Sequence, residues 1–169
     1  MDMPCKPSSY QPNDPVRYIE QFSCDNKNIN QIFRIPIFLS GSAVAAGTDA
    51  APVVRYFDAH GIQHSTADFK GHPTMLFLLA TWCGSCAAGL HSLNAHAEEL
   101  RDSGLHLAIL NTYRNEGSEG PPIDAFVAQW APALDTANVT LGNASAQLEA
   151  AYNPRHVPDI YYLIDAKGK

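Results

Sequence analysis

Two cysteines, Cys83 and Cys86, are the residues of this chain best placed to do chemistry, in the stretch LLATWCGSCAAGL. A two-residue spacer lets the pair close on itself as a disulfide without moving the backbone. Only a thiolate attacks a disulfide. A free thiol has a pKa of about 8.5, and CxxC pairs at helix starts bring it to roughly 3.5–7.5. The apolar run Thr74–Ala80 ends just before the pair, and helical spacing begins where the pair stands. Cys83 is therefore expected at a helix N-terminus, where unpaired N–H groups and the macrodipole favour negative charge. It would attack, and Cys86, one turn on, would resolve the mixed disulfide. The Gly84-Ser85 spacer tunes the potential of such a pair.

Other uses of the pair fit less well. Zinc needs further ligands, and no second CxxC or Cys/His pair stands at a suitable distance. His91 and His96 are five residues apart, which does not put them on one helical face. No metal is expected, and the redox-active Cys83–Cys86 disulfide takes the place of a cofactor.

The elements that must position the pair are legible from Pro52 onward. Val53–Phe57 is a short apolar strand, Asp58–Gly61 a turn, and IQHST the second arm of a hairpin. The continuous apolar run TMLFLLA reads as a strand buried on both faces. Leu90, Leu93, Ala97 and Leu100 mark one face of a helix that Gly104 stops. Leu105–Tyr113 is the next buried strand, and RNEGSEGPP a loop. Pro122 opens a helix through Ile123, Phe126, Val127 and Trp130. Val139–Leu141, Ala144–Tyr152 and Asp159–Asp165 complete the pattern as strand, helix and strand. Strands alternating with helices predict an α/β sheet with covered faces.

Composition bounds the rest. The 169 residues suggest one domain plus an extension. Residues 1–46 carry four Lys/Arg, four Asp/Glu and five of the twelve prolines, whereas residues 47–169 carry seven Lys/Arg, thirteen Asp/Glu and all seven histidines. The shift divides a largely irregular leader, 1–46, from a domain, 47–169. A net charge of −6 without basic clusters argues against nucleic-acid binding. No apolar run reaches the roughly 18–20 residues of a membrane span. Residues 32–46 read either as a signal-peptide remnant or as an added strand or docking arm. Cys5 and Cys24 lie in the leader, with nothing to fix a bridge between them.

TWCGSC after an apolar strand resembles the thioredoxin fold, and the wider match is to the TlpA/ResA-type extracytoplasmic thiol–disulfide oxidoreductases. Ala51-Pro52, Asp58-Ala59-His60-Gly61 and Asp68-Phe69-Lys70-Gly71 resemble that branch's opening strand, hairpin turn and entry to the central strand. Tyr152, Val157-Pro158, Tyr162-Leu163-Ile164-Asp165 and Lys167-Gly168 resemble its closing segment. The resemblance covers about residues 50–169. It implies an α/β thioredoxin-like fold, a central mixed sheet flanked by helices, with an N-terminal hairpin. Pro158 matches the family's cis-proline facing the CxxC. Beside it, Val157 would offer its backbone N–H and C=O to an extended peptide, and Trp82 would shield the dithiol.

Three departures bear on the chemistry. Where thioredoxins carry a buried aspartate and ResA-type proteins a glutamate, this chain has Phe77 and Gly89, so neither usual proton acceptor for Cys86 is present. A helix proline is replaced by His91. The threonine usual after the cis-proline is Asp159, which would either handle protons, raise the thiol pKa or face solvent. The family also continues into another strand and helix beyond Lys167-Gly168, so the domain is expected to lack these. Its last strand would then be covered by leader residues Ile32–Leu39 or by another chain.

The resemblance implies reduction of protein disulfides outside the cytoplasm, in cytochrome c maturation or thiol repair, with a cytoplasmic role as the alternative location. Implied partners are protein disulfide substrates and an upstream dithiol donor, with any membrane contact made through an N-terminal anchor or signal. The rival is a non-cycling thioredoxin-fold module that binds copper or a partner. A peroxidase is disfavoured because Trp82 and the CxxC occupy the region where a Thr-x-x-Cys arrangement is needed.

Overall fold

The chain enters its sheet through a hairpin, β1 (Arg55–Asp58) paired antiparallel with β2 (Gln63–Ser65). A computed structural model of the protein describes residues 50–134 and 138–169. The leader, the boundary near Gly47, Cys5, Cys24 and the segment 32–46 lie outside them. Asp58 builds the hairpin turn: its Oδ1 accepts the N–H groups of His60 and Ile62 at 2.9 and 2.8 Å, and Gly61 takes a positive φ of 80°. The second arm is shorter than expected. The Ser65 side chain caps a 3-10 turn over Thr66–Phe69, with Asp68 reaching back in a capping box, so the strand cannot run on.

Next comes β3 (Thr74–Leu79), with all six residues buried. After it stand α1 (Gly84–Ala95), α2 (Ala97–Ser103) and β4 (His106–Asn111). The face Leu90, Leu93, Ala97 and Leu100 is buried as expected. It belongs to two helices, however, because His96 leaves helical geometry at φ −114°, ψ 21°. Gly104 ends α2 in the left-handed conformation, φ 69°, as a C-terminal glycine should.

Beyond β4, Tyr113–Gly117 forms a tight turn in place of the expected open loop, with Arg114, Asn115 and Glu116 all at φ near +53°. Three such non-glycine residues cost energy, and the hydrogen bonds of the Asn115 side chain to Thr81 and Ser118 offset part of it. Helix α3 (Ile123–Trp130) follows Pro122, which stands at the cap just outside the first turn. Strand β5 (Val139–Ala144), helix α4 (Ala146–Tyr152) and strand β6 (Asp159–Ile164) close the chain. Strand β5 is twice its expected length. Gly142 lets it pass close to β1: a Cβ there would overlap the Phe57 carbonyl.

Among the described residues the strands form one mixed sheet in the order β2-β1-β5-β4-β3-β6. β3, β4 and β5 are parallel, and β6 runs antiparallel to β3. The fold is thus the expected thioredoxin-like α/β sheet with its hairpin. β6 is an edge of this sheet, with Leu163 52% exposed. Coverage of that edge by Ile32–Leu39 lies outside the described residues.

Side chains of β6 alternate between two layers. Tyr162 donates through its hydroxyl to the Tyr152 carbonyl at the end of α4. Tyr161 points the other way, toward α1. It lies opposite Phe77 in the ladder, and the two rings stack with centroids 4.0 Å apart. Its hydroxyl reaches the backbone of Gly89, where a Cβ would overlap the oxygen. Gly89 is buried, so the helix rests on the phenol. Gly89→Ala should therefore destabilise by about 1–3 kcal/mol, the usual cost of overpacking a core. Tyr161→Phe removes the colliding oxygen and should restore most of that loss in the double variant. Urea midpoints of the four proteins check this; no recovery in the double variant would show that the collision is elsewhere.

Candidate functional site

The dithiol stands where β3 becomes α1. The cap residue of α1 is Cys83, extended at φ −84°, ψ 123°, and its own Sγ is the capping acceptor. That sulfur accepts the Cys86 N–H at 3.3 Å and lies 3.0 Å from Ser85 Oγ. A helix cap is ordinarily a neutral or carboxylate oxygen; here the orphan N–H of the first turn is aimed at a sulfur able to carry charge. Both cysteines are buried free thiols.

The two thiols are driven apart in acidity. Hydrogen bonding from the Cys86 side chain is the main reason that Cys83 is lowered to about 6, with Ser85 and the Cys86 N–H adding to it. Burial and the charge of Asp159 oppose the shift without cancelling it. Cys86 is pushed far up, first by its hydrogen bond to Cys83, then by burial and the Cys83 charge. Its Sγ lies 3.0 Å from the Pro158 carbonyl, to which it donates. Near neutral pH the pair is thus one thiolate and one thiol, with the thiolate at the helix end.

Pro158 and Asp159 come to the pair from the start of β6. The Pro158 carbonyl also accepts the Ala80 N–H at 2.8 Å, which ties the segment to the end of β3. The two sulfurs and a carboxylate oxygen of Asp159 all lie within 4.8 Å of one another. Asp159 is partly buried, so of its three expected fates, facing solvent away from the dithiol is not what the structure shows.

Two expectations for this segment need correction. No described peptide bond is cis; the bond before Pro158 is trans, against the expected cis-proline. The chain instead bends at His156, which takes φ +53°, while Asn153 braces the residue after the bend. Second, the backbone groups of Val157 already have a partner within the chain. The buried Asn153 side chain takes both groups: Oδ1 accepts the Val157 N–H at 2.8 Å, and Nδ2 donates to the Val157 carbonyl at 2.9 Å. Asn153 Nδ2 also donates to Glu149 Oε1 at 2.5 Å. Burial and the nearby Glu116 carboxyl hold Glu149 above the usual carboxylate range.

Trp82 is 46% exposed and lies against the rim. Its Nε1 donates to the Asn115 carbonyl at 2.8 Å, and the Thr81 N–H donates to Asn115 Oδ1 at 2.8 Å. Asn115 Nδ2 donates to the Ser118 carbonyl. One asparagine in a left-handed turn therefore fixes the two residues before Cys83. Gly84 and Ser85 are the first two residues of α1. Asn115, Asn153 and Tyr161 are the residues that sequence reasoning missed. The asparagines sit in unpatterned loop and helix-end sequence, with no signal to find them. Tyr161 could have been found, because a glycine in place of an acid on the helix leaves room for something from the facing strand.

The redoxin family profile matches residues 45–169. No curated protein matches the chain. Among solved structures, the chain is similar to a secreted Mycobacterium tuberculosis disulfide oxidoreductase homologous to E. coli DsbE, at 20% identity and a TM-score of 0.52, over 69% of this chain and 78% of that one. It is also similar to the thioredoxin domain of a thiol-disulfide oxidoreductase from Bacteroides vulgatus, at 21% identity and a TM-score of 0.54, over 75% of this chain and 86% of that one. A thioredoxin-like protein from Aeropyrum pernix aligns at 18% identity and a TM-score of 0.55, over 69% of this chain and 77% of that one. At these identities the structural likeness speaks for the fold, and the family match speaks for the lineage: the chain belongs to the redoxin family and is a thioredoxin-like oxidoreductase.

Proposed function

We propose that this chain reduces disulfides in protein substrates outside the cytoplasm, with Cys83 as nucleophile and Cys86 as resolving thiol. The observation that carries the reading is the split of the dithiol: a sulfur that caps α1 and is acidic, beside a buried thiol held by the Pro158 carbonyl. The Cys83 thiolate attacks one sulfur of a substrate disulfide and expels the other as a thiolate. Cys86 then gives up its proton and attacks Cys83 Sγ. The second substrate sulfur leaves, and the enzyme is left with a Cys83–Cys86 disulfide. Two electrons have passed to the substrate, and an upstream dithiol donor returns the enzyme to its starting state. The disulfide itself is the redox group, so the cycle calls for no separate cofactor.

The acidity of Cys83 supports this direction. An acidic attacking thiol stabilises the reduced state and makes a stronger oxidant; thioredoxin stands at a pKa of about 7 and DsbA at about 3.5. Cys83, at about 6, lies nearer the reducing end. Trp82, Gly84 and Ser85 shape the rim and spacer, and Val157, Pro158 and Asp159 line the side a substrate approaches. A peptide pairing with Val157 must first exchange with Asn153. The extracytoplasmic setting, with cytochrome c maturation or thiol repair as the task, is supported by the resemblance of the motifs and by the secreted oxidoreductase among the structural relatives. No described helix is long and apolar enough to cross a membrane.

Two measurements check the split. Alkylation of the reduced protein by iodoacetamide should titrate at Cys83 with a midpoint near the shifted value of about 6, leaving Cys86 unmodified in the folded state. Faster modification of Cys86 at neutral pH contradicts the assignment. With a protein disulfide such as insulin, Cys83→Ser should abolish reduction, and Cys86→Ser should accumulate a mixed disulfide on Cys83 that sodium dodecyl sulfate gels resolve. The Cys83/Cys86 potential should fall closer to about −270 mV than to about −120 mV; a value at the oxidising end would reverse the proposed direction.

A further inference from the structure

Resolution requires Cys86 to lose its proton, and the places under α1 where an acid could take it are filled by other groups. Phe77 lies flat against Tyr161, and the Tyr161 hydroxyl occupies the space over Gly89, one turn beyond Cys86. That phenol cannot be the base: burial, then the negative charge of Asp159 and the cysteines, raises it well above its ordinary value. The Pro158 carbonyl holds the thiol and cannot carry its proton away. The titratable groups acting on Cys86 are Cys83 from its own helix and Asp159 and Tyr161 from β6. Asp159 and Tyr161 are two apart in one strand, so both project toward α1.

We propose that Asp159 is the proton acceptor for Cys86 in the resolving step. An Asp159 carboxylate oxygen, Cys83 Sγ and Cys86 Sγ lie within 4.8 Å of one another, which is reach for transfer after a side-chain rotation or through one water. The Cys86 S–H turns from the Pro158 carbonyl to the carboxylate, and its proton passes to Asp159. The freed sulfur attacks Cys83 Sγ, forming the Cys83–Cys86 bond and breaking the bond to the substrate sulfur. That sulfur leaves with the electron pair and takes the proton from Asp159. The carboxylate is regenerated, and no further reactant is needed. This assignment rests on Cys86 being the resolving thiol.

A base and a mere negative charge predict opposite results here. As a charge, Asp159 raises the pKa of both thiols, so removing it should change attack by the already ionised Cys83 little and speed resolution by Cys86. As the base, its removal should leave attack unchanged or faster and slow only resolution. The probe is 5,5′-dithiobis(2-nitrobenzoate) in excess over the reduced protein, which releases one coloured thiolate when Cys83 attacks and a second when Cys86 resolves. In Asp159→Asn the first phase should hold or quicken and the second should slow by about a hundredfold, the low end for a lost general base. Asp159→Glu should recover most of the second phase, and Asp159→Ser makes the same comparison if the amide disturbs folding. A second phase at least as fast as in the unaltered protein, or both phases changing in the same direction, overturns the assignment. If the unaltered protein releases only one thiolate, it is Cys86 as resolving thiol that fails instead.

Discussion

Everything at the site depends on Cys83 Sγ standing at the cap of α1, where the Cys86 thiol, the Ser85 hydroxyl and the Cys86 N–H all turn toward it. That placement makes the nucleophile a structural part of the helix it begins. The same N–H that would otherwise be an unsatisfied end of α1 stabilises the charge that attacks. The arrangement works only because β3 delivers its last residue to that point, and β3 is fixed by burial on both faces between β4 and β6. Each large apolar side chain there contributes roughly 1.5–3 kcal/mol. The sheet is therefore rigid where the thiolate must be held still.

Around that sulfur the molecule uses amides as braces. Asn115 holds the backbone and indole leading into Cys83, from a turn that is itself costly. Asn153 holds both backbone groups of Val157 and is in turn held by Glu149. A buried asparagine can satisfy a peptide group in both directions at once, donor to carbonyl and acceptor to N–H. One brace stands in a tight turn and the other at the end of α4, where sheet hydrogen bonds are not available to do the same work.

Much of this was legible in the residues. TMLFLLA, with no polar interruption, could be only a buried strand, and the CxxC after it fixes the place of the nucleophile. Leu90, Leu93, Ala97 and Leu100 gave the right buried face but hid the break at His96, because a helical period survives a change of axis. The strand expected over Val139–Leu141 runs on through Gly142, where β1 comes too close for a Cβ. Glycine signals both turns and close approach, and only the register of β1 against β5 distinguishes them. The Asn153 brace was not readable, since an asparagine at a helix end does not declare which backbone groups four residues on its amide will hold. The three left-handed residues at Arg114–Glu116 were equally hidden, for no glycine or proline marks them.

The site is assembled from parts with very different sequence separation. The acidity of Cys83 comes mostly from neighbours within three residues, whereas the charge of Asp159 that opposes it and the Pro158 carbonyl that holds Cys86 come more than seventy residues later. During synthesis the first set is complete long before the second. A twelve-residue helix alone is marginal in water, so the early dithiol flickers between an ordinary and an acidic thiol pair. Only docking of β6 adds the opposing charge and the carbonyl that quiets Cys86. The emerging chain thus passes through a period in which its own reactive pair is ungoverned.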